Sequence, residues 1–148
     1  MIPSWNAAVA LACKSIASIL AAGCSVIFKA SELCPRTHHW LTEAYTEAGL
    51  PPGVLNVIQV RREDSAAVTE TLVAHQAIKK VEFIGSAVVG RKIASLCGRY
   101  LKPILMELGG KCCSIVLEDA DLEDAAGKCI TAGTMDSFSC AVRRRPRD

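Results

Sequence analysis

Several short groups of residues in this chain have the types and spacing that chemistry uses. Gly85-Ser86, with Gly90 one helical turn further on, stands where an apolar run gives way to a helical pattern. A glycine lets backbone approach a ligand closely, and a helix N-terminus presents unpaired N–H groups with a partial positive charge, so a phosphate suits this place. The same residues also make a tight strand-to-helix turn capped by Ser86. Lys29-Ala30-Ser31-Glu32 falls at the carboxyl end of a predicted strand, the edge where open parallel sheets bind ligands. A Lys/Glu pair there can hydrogen-bond ribose hydroxyls, or simply form a solvated loop. Glu107, ahead of Leu108-Gly109-Gly110 and behind an apolar segment, has the partly dry setting that suits a general base, although a glutamate before two glycines also serves as a loop residue. Cys140 is a candidate nucleophile if a neighbour activates its thiol. Asn6 beside Trp5 carries an amide that can donate to an oxyanion or frame a turn. His38, His39 and His75 read as surface residues of helices without a chemical role.

These groups need a scaffold, and hydrophobic periodicity supplies one. Between Ala7 and Ala22, the residues Val9, Cys13, Ile16 and Leu20 recur at helical intervals, and Gly23 suits the position just past a helix end. Cys24–Phe28 reads as a short buried strand, Pro35 to Gly49 as a helix, and Pro51-Pro52-Gly53 as a turn into a strand from Val54 to about Ile58. The cycle repeats with a helix over Ser65–Ala74, a strand over Lys80–Ile84 and a helix over Ser86–Leu96. Short strands near Ile104 and over Ser114–Leu117 and a helix from Asp121 complete it. Alternating strands and helices of this length predict an α/β fold whose parallel sheet is covered on both faces. Nothing divides it internally, so one domain is expected over residues 1–135, followed by an atypical basic tail over 136–148.

Composition bounds the function. The chain has 148 residues, is 51% hydrophobic and 22% charged, and carries 5% aromatics, which suits a buried core and not stacking platforms for single-stranded nucleic acid. Arg143, Arg144, Arg145 and Arg147 crowd the end; without the last six residues, 13 cations face 14 anions and the net charge of +2 becomes −1. Clustered arginines pair with phosphates, but these lack aromatic partners, so no nucleic-acid partner is expected. No apolar run has the length of a membrane span and no basic leader precedes the apolar start, so neither membrane nor secretion is expected. The eight cysteines fall mostly in apolar stretches, where a free thiol acts as a small hydrophobe, and their spacing suits neither zinc nor a disulfide framework. A reducing, cytoplasmic setting follows.

Read together, Ser4-Trp5-Asn6, Lys29-Ala30-Ser31-Glu32, Glu47-Ala48-Gly49-Leu50-Pro51-Pro52-Gly53-Val54-Leu55-Asn56-Val57, Phe83-Ile84-Gly85-Ser86, Glu107-Leu108-Gly109-Gly110-Lys111 and Asp119-Ala120-Asp121-Leu122 closely resemble the aldehyde dehydrogenase superfamily. The Lys-Ala-Ser-Glu-Leu-Cys-Pro wording looks most like its salicylaldehyde and vanillin dehydrogenase type. The resemblance implies a Rossmann-like, partial cofactor-binding domain, NAD or NADP as cofactor, and oxidation of an aldehyde, aromatic by the subfamily wording, to a carboxylic acid. On this sequence it assigns the nucleophile to Cys140, the oxyanion amide to Asn6 and the general base to Glu107. Lys29 and Glu32 would hold the adenosine ribose, with Gly85, Ser86 and Leu108 also at the cofactor.

The departures are specific. Ser4 replaces the family's proline before the tryptophan, Ile84 its usual threonine, and Gln59-Val60-Arg61-Arg62 lacks an expected glycine. Phe138-Ser139 replaces the Gly-Gln-x lead-in to the nucleophile. The resemblance reaches only the middle part of a family member, so the chain is expected to be a truncated product, enzymatic by ancestry. The competing expectation is a non-catalytic nucleotide-binding or interaction remnant, pairing with itself or with a full-length relative through exposed apolar surface.

Overall fold

Segments with helical and strand periodicity fold as those elements where a partner can cover them. The computed structural model describes residues 1–110 and 113–134. In chain order these form α1 (Ala8–Ala21), β1 (Val26–Lys29), α2 (Pro35–Glu47), β2 (Leu55–Ile58), a one-turn 3-10 helix (Arg62–Asp64) and α3 (Ser65–Ala74). Then come β3 (Val81–Gly85), α4 (Ala87–Arg99), β4 (Ile104–Leu108) and α5 (Leu122–Thr134). Pro35 occupies the first turn of α2, where its missing N–H leaves no helical bond unmade, and Gly49 leaves that helix with φ +93°, a conformation that strains any residue with a Cβ.

The sheet is assembled from three pieces. β1 pairs with β2 in parallel, Val26 opposite Leu55, and β3 with β4, Val81 opposite Ile104. Met1–Ile2 joins the pairs. The Met1 amino group donates to the Ile27 carbonyl at 2.9 Å, and the Lys29 N–H donates to the Met1 carbonyl at 3.0 Å. On the other side, the Ile2 N–H donates to the Glu82 carbonyl at 2.8 Å, and the Ile84 N–H to the Ile2 carbonyl at 3.0 Å. The order is therefore β2, β1, Met1–Ile2, β3, β4, all parallel, which is the doubly wound dinucleotide-binding arrangement.

Alternation along the strands sorts the core into two layers. Met1 packs with Ala12, Ile16, Val26, Phe28 and Leu41 on the side of α1 and α2; Ile2 packs with Val73, Val81, Phe83, Ile93 and Cys97 on the side of α3 and α4. Consecutive residues of one strand face opposite sides, so these two neighbours alone establish that helices cover both faces. Ser114–Leu117, expected as a strand, is not one. A strand exists only by hydrogen bonding to a neighbour, and this segment has none among the described residues.

The chain divides into two compact units, Met1–Leu108 and Gly109–Asp148. In the second, the Asp121 carboxylate caps α5, accepting from the N–H groups of Glu123 and Asp124 at 3.0 and 3.1 Å. Cys13, Cys24, Cys34, Cys97, Cys113 and Cys129 are free thiols; of these Cys97 alone is buried. No described helix is long and apolar enough to cross a membrane.

Candidate functional site

Because the strands are parallel, their carboxyl ends share one edge, and the order reverses around Met1–Ile2. A reversal of this kind marks the place where doubly wound sheets take their ligands. The segments at this edge of the Met1–Leu108 unit are Pro3–Asn6, Lys29–Glu32, the chain from Gln59 after β2, Gly85–Ser86 and the end of β4 at Glu107–Leu108.

Lys29 anchors the best-defined part. Its side chain is 3% exposed, and its ammonium donates to Glu32 Oε1 at 2.6 Å and to Ser65 Oγ at 2.8 Å. Partial burial pushes the Glu32 carboxyl up. The hydrogen bonds from Lys29, Ser65 and its own backbone N–H, together with the Lys29 charge, outweigh this and hold it below the usual carboxylate range. The result is an ionised acceptor held beside a buried donor at the sheet edge. Ser65 belongs to this cluster, though its sequence position marks it only as the start of a helix.

Gly85 ends β3, and a Cβ there would stand 2.6 Å from the ring of the buried Phe83. The glycine is thus required by close packing at the turn. Ser86 caps α4, its hydroxyl accepting the Val89 N–H at 3.3 Å. Both readings of this turn hold in geometry: it is a capped turn, and Val88 and Val89 in its first helical turn are exposed, leaving the helix N-terminus open. Leu108 lies opposite Gly85 in register and packs over Gly90. Ser86→Ala should lower stability by about 1 kcal/mol in urea unfolding.

Asn6 sits in the turn between the central segment and α1. Ala7 adopts a left-handed conformation, φ +42°, and the Ser4 hydroxyl donates to the Asn6 carbonyl at 3.2 Å. Ser4, which stands in place of the family's proline, therefore steadies the turn by a hydrogen bond. Glu107 lies opposite Ile84 and is exposed, so the partly dry setting expected for it is not met. β4 is an outer strand of the described sheet, and its side chains are open from Leu105 to Leu108. Cys140 lies outside the described residues.

The reading of His38 as a surface residue is wrong, whereas His39 and His75 are exposed as expected. His38 is 0% exposed, and its Nδ1 accepts the Ser31 N–H at 3.0 Å. The signal was present: His38 falls on the stripe of Leu41, Thr42 and Tyr45, spaced at helical intervals along the inner face of α2.

Comparison with known proteins agrees with this architecture. The pattern of the aldehyde dehydrogenase family matches residues 1–138. A vanillin dehydrogenase of Pseudomonas fluorescens is 48% identical over 124 residues, which cover 84% of this chain and 26% of that protein. The crystal structure of a salicylaldehyde dehydrogenase from Pseudomonas putida G7, complexed with salicylaldehyde, superposes with a TM-score of 0.82 at 40% identity, covering 88% of this chain and 27% of that one. An aldehyde dehydrogenase from Bacillus cereus in its NAD+ complex superposes with a TM-score of 0.80 at 33% identity, covering 93% and 27%. The chain spans about a quarter of the length of these relatives. A match over nearly the whole chain, on a sheet wound in this order, means that the protein belongs to the aldehyde dehydrogenase family.

Proposed function

We propose that the chain is the cofactor-domain core of an NAD(P)-dependent aldehyde dehydrogenase acting on an aromatic aldehyde. The observation that carries this reading is the Lys29–Glu32–Ser65 cluster at the carboxyl edge of the sheet. Its chemistry fits the cofactor: a buried ammonium and an ionised carboxylate offer a donor and an acceptor to a ribose diol, and the open N-terminus of α4 beside Gly85 and Ser86 offers N–H groups to a pyrophosphate. The negative charge on Glu32 repels a phosphate on the ribose 2′ oxygen, which favours NAD over NADP. When bound, the nicotinamide supplies the two-electron acceptor for the oxidation.

The remaining roles follow the family assignment. The Cys140 thiolate adds to the carbonyl carbon, the Asn6 amide donates to the oxyanion, and Glu107 takes a proton from the water that releases the acid from the cysteine thioester. The substrate preference is supported by the names of the vanillin and salicylaldehyde dehydrogenases that this chain resembles. Residues 1–135 form the partial cofactor domain and 136–148 the tail.

Calorimetric titration of the purified chain with NAD, alongside an assay for reduced nicotinamide with an aromatic aldehyde, tests both halves of the reading. Binding and turnover, the latter abolished in Glu107→Gln and Cys140→Ala, are the expected results; no binding sinks the proposal. The exposed Glu107 and open face of β4 favour a second reading, a nucleotide-binding remnant that pairs with a full-length relative. Binding without turnover would select it.

A further inference from the structure

The buried imidazole of His38 is unused by the chemistry above, and its contacts lead straight to the ribose-binding loop. The ring packs edge-on against Phe28 of β1, with centroids 5.0 Å apart and planes at 78°. Its Nδ1 accepts the N–H of Ser31, the residue immediately before Glu32 and two after Lys29. An Nδ1 that accepts is unprotonated, so in the neutral ring the proton sits on Nε2, where Cys34 Sγ lies 3.6 Å away. Burial pushes the imidazole below its ordinary range, with a hydrogen bond to the Ala8 backbone opposing in part. The neutral acceptor form is thus maintained, tied to the Lys29–Glu32 loop.

Loop geometry explains why this bond matters. Lys29 closes β1, whereas Glu32 lies beyond the sheet ladder, and the bond from Lys29 Nζ to Glu32 Oε1 requires the intervening backbone to curl back. Ala30 N–H is still held by the Ile58 carbonyl. Ser31 is the first residue past that ladder, and its N–H has His38 as partner. Without an acceptor at that point, the N–H would turn toward water and carry Glu32 with it.

We propose that His38 is a positioning residue for the adenosine end of the cofactor: by accepting the Ser31 N–H it holds Glu32 at the place where Lys29 and Glu32 together meet a ribose diol. The proposal rests on the ribose-binding reading of that pair. It adds a specific requirement, an acceptor on α2 that a hydrophobic residue of equal size does not provide.

The test is calorimetric binding of AMP and of nicotinamide mononucleotide to the full chain and three variants. His38→Phe keeps the ring volume and removes the acceptor; His38→Asn places an amide oxygen near the Nδ1 position; Glu32→Gln probes the pair itself. His38→Phe should weaken AMP by about tenfold, the scale of one lost hydrogen bond, and leave nicotinamide mononucleotide within about twofold, whereas His38→Asn should recover most of the AMP affinity. If Glu32→Gln weakens AMP and His38→Phe does not, the positioning role is overturned and the ribose reading stands. If Glu32→Gln leaves AMP unchanged, the ribose reading fails and takes this proposal with it. Equal losses for AMP and nicotinamide mononucleotide, or for the Phe and Asn variants, mean a merely structural histidine and overturn the proposal. A measurement independent of variant folding is NMR of the unmodified chain, in which AMP should shift the Ser31 amide and His38 ring resonances together and nicotinamide mononucleotide should not. AMP binding that leaves both resonances unmoved overturns the proposal.

Discussion

Phe28→Ala lowers the unfolding free energy by about 3–5 kcal/mol, the largest stability loss expected from a single truncation among the described residues. Phe28 is fully buried and lies on β1, between β2 and Met1–Ile2, so its cavity would open in the middle of the layer under α1 and α2. Its cluster partners Ala12 and Ile16 on α1 and Val26 on β1 are short or branched side chains, and they cannot collapse into the space without moving α1. Domains of this size have total stabilities of about 5–15 kcal/mol, so the variant should lose most of its margin and melt far below the parent. Trp40→Ala, at a ring 56% exposed on α2, should change stability little by comparison. Urea unfolding followed by circular dichroism measures both. A loss below about 1 kcal/mol for Phe28→Ala would mean that this layer is not packed as described.

Lys29→Met should weaken binding of NAD or ADP-ribose by at least about tenfold, because it removes the buried donor of the proposed ribose site and one of the groups that hold Glu32 in place. The methionine retains most of the apolar stem that Lys29 buries, which separates loss of the charge from loss of packing. Stability should fall less than for a fully enclosed ion pair, since the Glu32 side chain is 24% exposed and water can solvate its charge once the ammonium is gone. The pH dependence has a definite sign. Glu32 is held below the usual carboxylate range in the folded chain, so its contribution is complete above the unfolded carboxylate pKa and is lost as pH falls through the folded value. The stability gap between parent and Lys29→Met should therefore close in acid and stay constant towards neutral pH. Glu107→Gln, at an exposed position on β4, should leave ADP-ribose binding unchanged, and titration calorimetry of the two variants side by side distinguishes the roles.

Much of the scaffold was legible in the residues because helices report themselves within a few turns. The expected bounds of α3, Ser65–Ala74, coincide with the observed ones, and Pro35 marks the start of α2 as its fixed φ requires. The Lys29/Glu32 pair was also legible, since strand-end position and residue type are local facts. His38 has a type that suggests solvent and a spacing with Leu41 and Tyr45 that points inward, and spacing decides its burial. Ser65 is the opposite case: nothing near it in the chain refers to Lys29, which reaches it across 36 positions.

The sequence by itself determined the class of the fold, the family wording and the order of elements, because periodicity, turn residues and motif spacing act over short stretches of chain. Tertiary structure alone decided that Met1 and Ile2 form the middle of the sheet and that Ser114–Leu117 forms no strand. It also decided that Ser65 and His38 attend the Lys29–Glu32 loop. Two residues carry no period, and a strand, a buried ion pair or a buried imidazole is defined by its partner. That partner is chosen when distant segments meet, by hydrogen bonds and shared burial that no window of neighbouring residues contains.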